Sequence, residues 1–215
     1  MATVKRRLIR VLAGCTVWLT LTGGGCNLFE PAQPEPPTGQ AIIPDYSDPD
    51  RTLDMIAQAV RDKAGTNGSS VYMGAFADST SPATPAYHHF FWPTDVIDTG
   101  ITPPADWTRV HEETFYSKLV NLRGDQYQLI WEPDPASGSD DIGARTAVIH
   151  RHYRLISETD DGTPTGTMAF GFADLTLVKG TDANWRITLW SDRVDPTADV
   201  GLEEVSLGRR RLTLQ

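Results

Sequence analysis

NWRITLWSDR, residues 184–193, is the stretch on which the fold turns. Trp185, Ile187 and Leu189 alternate with Arg186 and Thr188, the period of a strand with one buried face. The alternation predicts those three side chains in a core and Trp190 on the opposite face. Working back, GTMAFGFADLTLVK (166–179), ARTAVIHRHYRLIS (144–157) and DQYQLIWE (125–132) read as three more long strands. Asp161-Gly162 and residues 180–183 supply turns between them. Consecutive strands joined by short turns pair as antiparallel neighbours.

Upstream the pattern becomes helical. Asp48 suits an N-cap and Pro49 the first helical position. Leu53, Ile56, Ala57 and Val60 then recur at helical spacing, which predicts a helix over 50–64, stopped by Gly65 and Asn67-Gly68. Ser69 or Ser70 can cap a second, shorter helix, VYMGAFAD (71–78), with Tyr72 and Phe76 one turn apart. AYHHFFW (86–92) reads as a strand, and Pro93, Pro103 and Pro104 bracket a long loop. WTRVHEETFYSKLVNL (107–122) is the third helix, capped by Thr108 or Asp106. Glu112 and Glu113 sit near its positive end, and Phe115, Leu119 and Leu122 share a face.

The order α-α-β-α-β-β-β-β, closing on Trp185, Arg186, Ile187, Trp190 and Asp192, resembles the nuclear-transport-factor-2-like (NTF2-like) superfamily, which includes the SnoaL-like polyketide cyclases. The resemblance implies an α+β domain over residues 50–197: a cone in which three N-terminal helices pack on a curved antiparallel sheet. Residues 198–215 then form a tail, with Arg209-Arg210-Arg211 solvated. Enzymes of the superfamily place an Asp–His or Tyr–Asp pair inside an apolar cone. Such surroundings lift a carboxylate's pKa until it can take a proton beside a carbonyl. The corresponding candidates are Asp174, Asp192, His150, His152 and Tyr127. Members also pair through their sheets, which implies a possible homodimer.

His150 and His152 lie two apart on one strand and so point to the same side. Zinc asks for a third ligand at least, and Arg151 and Arg154 flank the pair, so the reading is two histidines on an outer, solvated face and no metal. His88 and His89 are adjacent and face opposite sides, so at most one could join them. SGSDD (137–141) and ETDDG (158–162) lack calcium-loop spacing and read as hairpin turns. Phosphate-cradling glycine motifs are absent, and no cofactor is expected. Acids are numerous, but no obvious buried pair stands out.

The chain opens MATVKRRLIR, with Lys5, Arg6, Arg7 and Arg10 ahead of the apolar run VLAGCTVWLTLT, the order of a secretory signal. That run is about half of the ~20 residues a spanning helix needs. Gly23-Gly24-Gly25-Cys26 resembles a bacterial lipobox with glycine where leucine is usual. The expectation is a signal peptide over 1–25 and lipidation of Cys26; an ordinary signal with a free Cys26 is the alternative. Residues 26–49 carry six prolines and read as an extended tether. At ~3.1 Å per residue it could hold a domain about 60 Å from a membrane. Asn27 follows Cys26, which favours the periplasmic face of an outer membrane in a cell that has one.

Loss of four signal cations and no acid takes the formal charge from −9 to −13, so phosphate backbones are repelled and nucleic acid is not an expected partner. With Cys15 removed, only Cys26 remains, and the fold must stand on its apolar core rather than on a disulfide. These observations point to a non-enzymatic lipoprotein of the cell envelope that binds a small apolar ligand or a protein partner. The alternatives are a cyclase or isomerase using a cone Asp with His or Tyr, and a structural dimer.

Overall fold

The computed structural model describes residues 41–62, 67–79, 84–122, 126–159, 161–195 and 205–215. Residues 1–40, on which the expected signal peptide, Cys26 and most of the expected tether fall, lie outside the described residues. So do 196–204, between the last strand and the last helix.

Helix α1 (Pro49–Arg61) starts as its sequence directs. Asp48 Oδ1 accepts from the Arg51 N–H at 2.8 Å, and Pro49 occupies the first turn. Leu53, Ile56, Ala59 and Val60 are buried on its inner face. Each large apolar side chain so placed contributes roughly 1.5–3 kcal/mol. Helix α2 (Gly68–Gly74) begins three residues earlier than expected, with Asn67 rather than a serine at its N-cap position. Asn67 is engaged elsewhere: its amide exchanges hydrogen bonds with the Ile42 backbone. The helix ends at Gly74, and Phe76 is drawn instead into a backbone bridge with Ile187.

Strand β1 (His88–Phe91) is followed by a short helix, α3 (Pro93–Thr99), where a loop was expected. Pro93 sits in its first turn, and Gly100, at φ 66°, closes it in the left-handed conformation that glycine adopts freely. Helix α4 (Arg109–Val120) opens at Thr108, whose backbone N–H donates to His111 Nδ1 at 3.2 Å.

Strands β2 (Gln126–Pro133), β4 (Thr146–Glu158), β5 (Pro164–Lys179) and β6 (Trp185–Val194) form the antiparallel run read from the sequence. The two-residue β3 (Asp141–Ile142) pairs with β4, so the 137–141 segment leads into a strand rather than making a simple hairpin turn. The sheet order is β1-β6-β5-β4-β2. Because β1 lies parallel to β6, the curved, unclosed sheet is mixed.

A final helix, α5 (Leu207–Thr213), corrects the expectation of a solvated tail. Leu207, Arg211 and Leu212 are buried, and Arg211 is fully so. The helix packs along β5, β6 and α3.

One irregularity decides what faces the interior. Thr176 of β5 pairs with Leu189, but the next residue, Leu177, pairs with Ile187. Thr188 is therefore an extra residue, a β-bulge that inverts the alternation beyond it. Trp185 and Ile187 are buried as expected, but Trp190 is buried with them at 1 % exposure, and Leu189 turns to the other face. The same inversion carries Asp192 inward.

Candidate functional site

Between the helices and the sheet lies a cluster of fully buried polar side chains. Glu112 comes from α4, at the spacing of Phe115 and Leu119 on that helix's apolar face. Its position near the helix start concealed this, although the three-and-seven spacing was the signal. Tyr72 donates to Glu112 Oε1 at 2.7 Å; Tyr87 and Trp107 donate to Oε2 at 3.0 and 2.9 Å. Arg211 supplies the countercharge from α5. Its Nε lies 2.9 Å from Oε2 and its Nη2 2.8 Å from Oε1, a two-point pairing of guanidinium and carboxylate. The guanidinium carbon stands 4.2 Å from the Trp190 ring centroid and 5.0 Å from that of Phe115.

Asp192 forms the second half of the cluster. Oδ2 accepts from Tyr153 at 2.7 Å and from the Gly208 backbone N–H at 2.8 Å. Oδ1 lies 3.1 Å from His89 Nε2 and 3.8 Å from Arg211 Nη1. His89 reaches this place because β1 alternates: His89 is buried, whereas Phe90 is half exposed. Beside it, buried Asp95 of α3 accepts from Ser206 at 2.8 Å and from Arg209 at 3.1 Å, clamping the start of α5.

Burial opposes charge on every member, and the pairing decides the outcome. Desolvation alone would raise Glu112, but the Arg211 guanidinium overcomes it and holds the carboxyl below its ordinary value. Asp192 is likewise raised by burial and then drawn below its ordinary value by His89, Arg211 and Tyr153. Burial lowers His89, and Arg211 adds to the effect, so the imidazole is neutral at pH 7. Tyr72, Tyr87 and Tyr153 are pushed well up by burial and by the carboxylates they serve. Burial disfavours the charge on Arg211, yet Glu112 fixes it there. The cluster thus holds two carboxylates, one guanidinium and a neutral imidazole, none of them exposed.

Of the five sequence candidates, the structure brings only Asp192 here. His150 and Asp174 face each other across β4 and β5 on the outer side of the sheet, with Nδ1 and Oδ1 2.6 Å apart. His152 is on that side too, its ring 4.4 Å from Phe170 and its nitrogens 3.5 Å from Glu132 and Asp195. Arg151 points inward instead and pairs with Asp50 and Asp140. Tyr127 is buried and donates to the Leu122 carbonyl at 2.6 Å. Among the described residues, no group of three or more His, Cys, Asp or Glu side chains is placed to hold a metal ion. The buried carboxylate pair, Glu112 with Asp192, corrects the expectation that the sequence holds none. Arg211, in a segment that reads as a solvated tail, and His89, adjacent to the exposed His88, complete the cluster.

The arrangement defines a class: an α+β domain with helices on one side of a curved sheet, as the NTF2-like resemblance implies, and a polar cluster sealed in its interior. Solved structures similar to it include a Mycobacterium tuberculosis protein of unknown function (15 % identity, TM-score 0.47, covering 76 % of this chain and 89 % of that one). A second is an NTF2-like protein with a cystatin-like fold from Novosphingobium aromaticivorans (10 %, 0.46, 70 % and 81 %). A third is ActVI-ORFA from Streptomyces coelicolor (12 %, 0.46, 67 % and 92 %). The likeness is one of fold alone. No protein-family model and no curated protein sequence matches the chain.

Proposed function

We propose that the chain is an exported, lipid-anchored module of the cell envelope that binds a ligand or partner and does not catalyse a reaction. One observation carries the non-enzymatic reading. Asp192, the sequence candidate that reaches the interior, is fully buried beneath α5 and held below its ordinary pKa. A base that abstracts a proton beside a carbonyl needs the opposite, a raised pKa and an open approach. The basic, lipobox-bearing leader supports export and anchoring at Cys26.

Two experiments test the reading. Replacing Cys26→Ser should move the protein from the membrane to the soluble fraction, and mass spectrometry of the mature N-terminus should find lipid on Cys26. An unmodified Cys26, or cleavage elsewhere, removes the anchor. Incubation with enolisable ketones in D2O should give no deuterium incorporation above buffer. Incorporation that disappears in Asp192→Asn would establish the second reading, a SnoaL-like cyclase or isomerase. The convergence of Asp192, His89 and Tyr153 favours that reading if α5 departs.

A further inference from the structure

We infer that the pocket beside the last turn of α5 binds an aliphatic carboxylate, whose acid group meets Arg210 and whose chain lies on Leu122, Met168 and Leu214. This rests on the binding-module reading, names its ligand class and places the ligand outside the sealed polar cluster.

The pocket has a volume of about 470 Å³, a size that takes a small molecule. It forms where the end of α4, the starts of β2 and β5, the end of β4 and the last turn of α5 meet. Leu122, Met168 and Leu214 pack against the core yet stay only partly buried, so each keeps apolar surface that a ligand would cover. The Tyr127 ring adds to this wall, with its hydroxyl donating to the Leu122 carbonyl at 2.6 Å. Among the described lining residues Arg210 carries the only charge, in a chain of formal charge −9. Its Nε donates to the Met168 carbonyl at 2.7 Å, which fixes the guanidinium at the pocket wall. A guanidinium has five N–H donors, so it can serve that carbonyl and a carboxylate together. Ser157 and Thr165, whose hydroxyls lie 2.8 Å apart, add polar groups on the strand side. Two helices end here, and helix C-terminal carbonyls disfavour anions. The Leu122 carbonyl is already engaged by Tyr127, and the Arg210 carbonyl by the Leu214 N–H at 3.0 Å and the Thr213 hydroxyl at 3.1 Å, which blunts that repulsion. A cationic head group would instead face Arg210, with no carboxylate among the described lining residues to hold it.

The test uses the full chain and octanoate, titrated by calorimetry. The expected result is saturable 1:1 binding with a Kd of about 1 mM or tighter. Octanol, with the same chain and no charge, should bind at least about ten-fold more weakly, and octylammonium should not bind. Acetate, the head group without the chain, should show no saturable heat at the same concentrations. Arg210→Met should weaken octanoate at least about ten-fold and leave the octanol affinity unchanged, a selective loss that a collapsed pocket would not produce. Leu214→Ser should weaken octanoate and octanol alike. Absence of saturable octanoate binding to wild type overturns the proposal, as does equal binding of octanol or octylammonium. An undiminished octanoate affinity in Arg210→Met overturns it too. Should Arg210→Met not fold, the order octanoate, octanol, octylammonium on wild type decides alone. Failure here leaves the non-enzymatic reading standing, whereas Asp192-dependent deuterium exchange would remove that reading and leave the octanoate result intact.

Discussion

Gly208 donates its backbone N–H to Asp192 Oδ2 at 2.8 Å, tying the first turn of the last helix to the last strand. The approach depends on the missing side chain. A Cβ on Gly208 would sit 2.8 Å from Asp95 Oδ2 and 3.3 Å from Asp192 Oδ1. Both carboxyls are buried and held by other partners, so neither can easily give way. Gly208→Val is therefore expected to dislodge α5 and, with it, the Arg211 partner of Glu112. Hydrogen exchange should show lost protection at 207–213, and acrylamide quenching of tryptophan should rise. Unchanged protection would mean the helix tolerates the branch.

The Glu112–Arg211 pair predicts strong non-additivity. Glu112→Leu or Arg211→Met alone leaves an uncompensated buried charge and is expected to cost about 3–5 kcal/mol in urea unfolding. The double variant should recover most of that loss, because an apolar pair carries no desolvation penalty. Additive single effects would show that the two side chains act independently.

Acid should destabilise the domain in two stages. His89 is held below its ordinary value of 6.5, so the unfolded chain binds the extra proton as pH falls below that value, and stability falls with it. Glu112 and Asp192 are held below their ordinary values of 4.5 and 3.8; their contribution is complete above that range and is lost as pH falls through the lower folded values. Urea midpoints between pH 7.5 and 3 should show both stages. His89→Asn should remove the first and weaken the second, since His89 helps to hold Asp192 down.

The bulge at Thr188 predicts where tryptophans matter. Trp185→Ala and Trp190→Ala should each cost about 3–5 kcal/mol, since both are buried. Leu189→Ala, on the opposite face and only half-buried, should cost about 1 kcal/mol. Chemical denaturation of the three variants checks the register. A mild Trp190→Ala would restore simple alternation along β6.

Much of this architecture is local and therefore legible from the chain. Asp48 and Pro49 start α1 by capping chemistry that needs no distant partner, and strand periodicity delimited β2, β4, β5 and β6 to within a few residues. His150 and His152 fall on the outer face by plain alternation. The interior site was far less legible. Alternation along 184–193 put Trp190 on the wrong face because a bulge is a property of the β5–β6 pairing, and Thr188 does not announce it. Arg209-Arg210-Arg211 read as a solvated tail because an arginine is normally buried only with a partner, and its partner lies 99 residues away. Glu112 carried a faint signal in its spacing with Phe115 and Leu119, but capping chemistry explained an acid there equally well. By itself, the sequence determined α1, α4, the four long strands and the α+β class, because backbone propensity and apolar periodicity act over a few residues. Tertiary structure alone decided which charges are buried together, because desolvating a carboxylate is tolerated only where donors from α2, β4, the residues ahead of β1 and α4, and α5 converge on it.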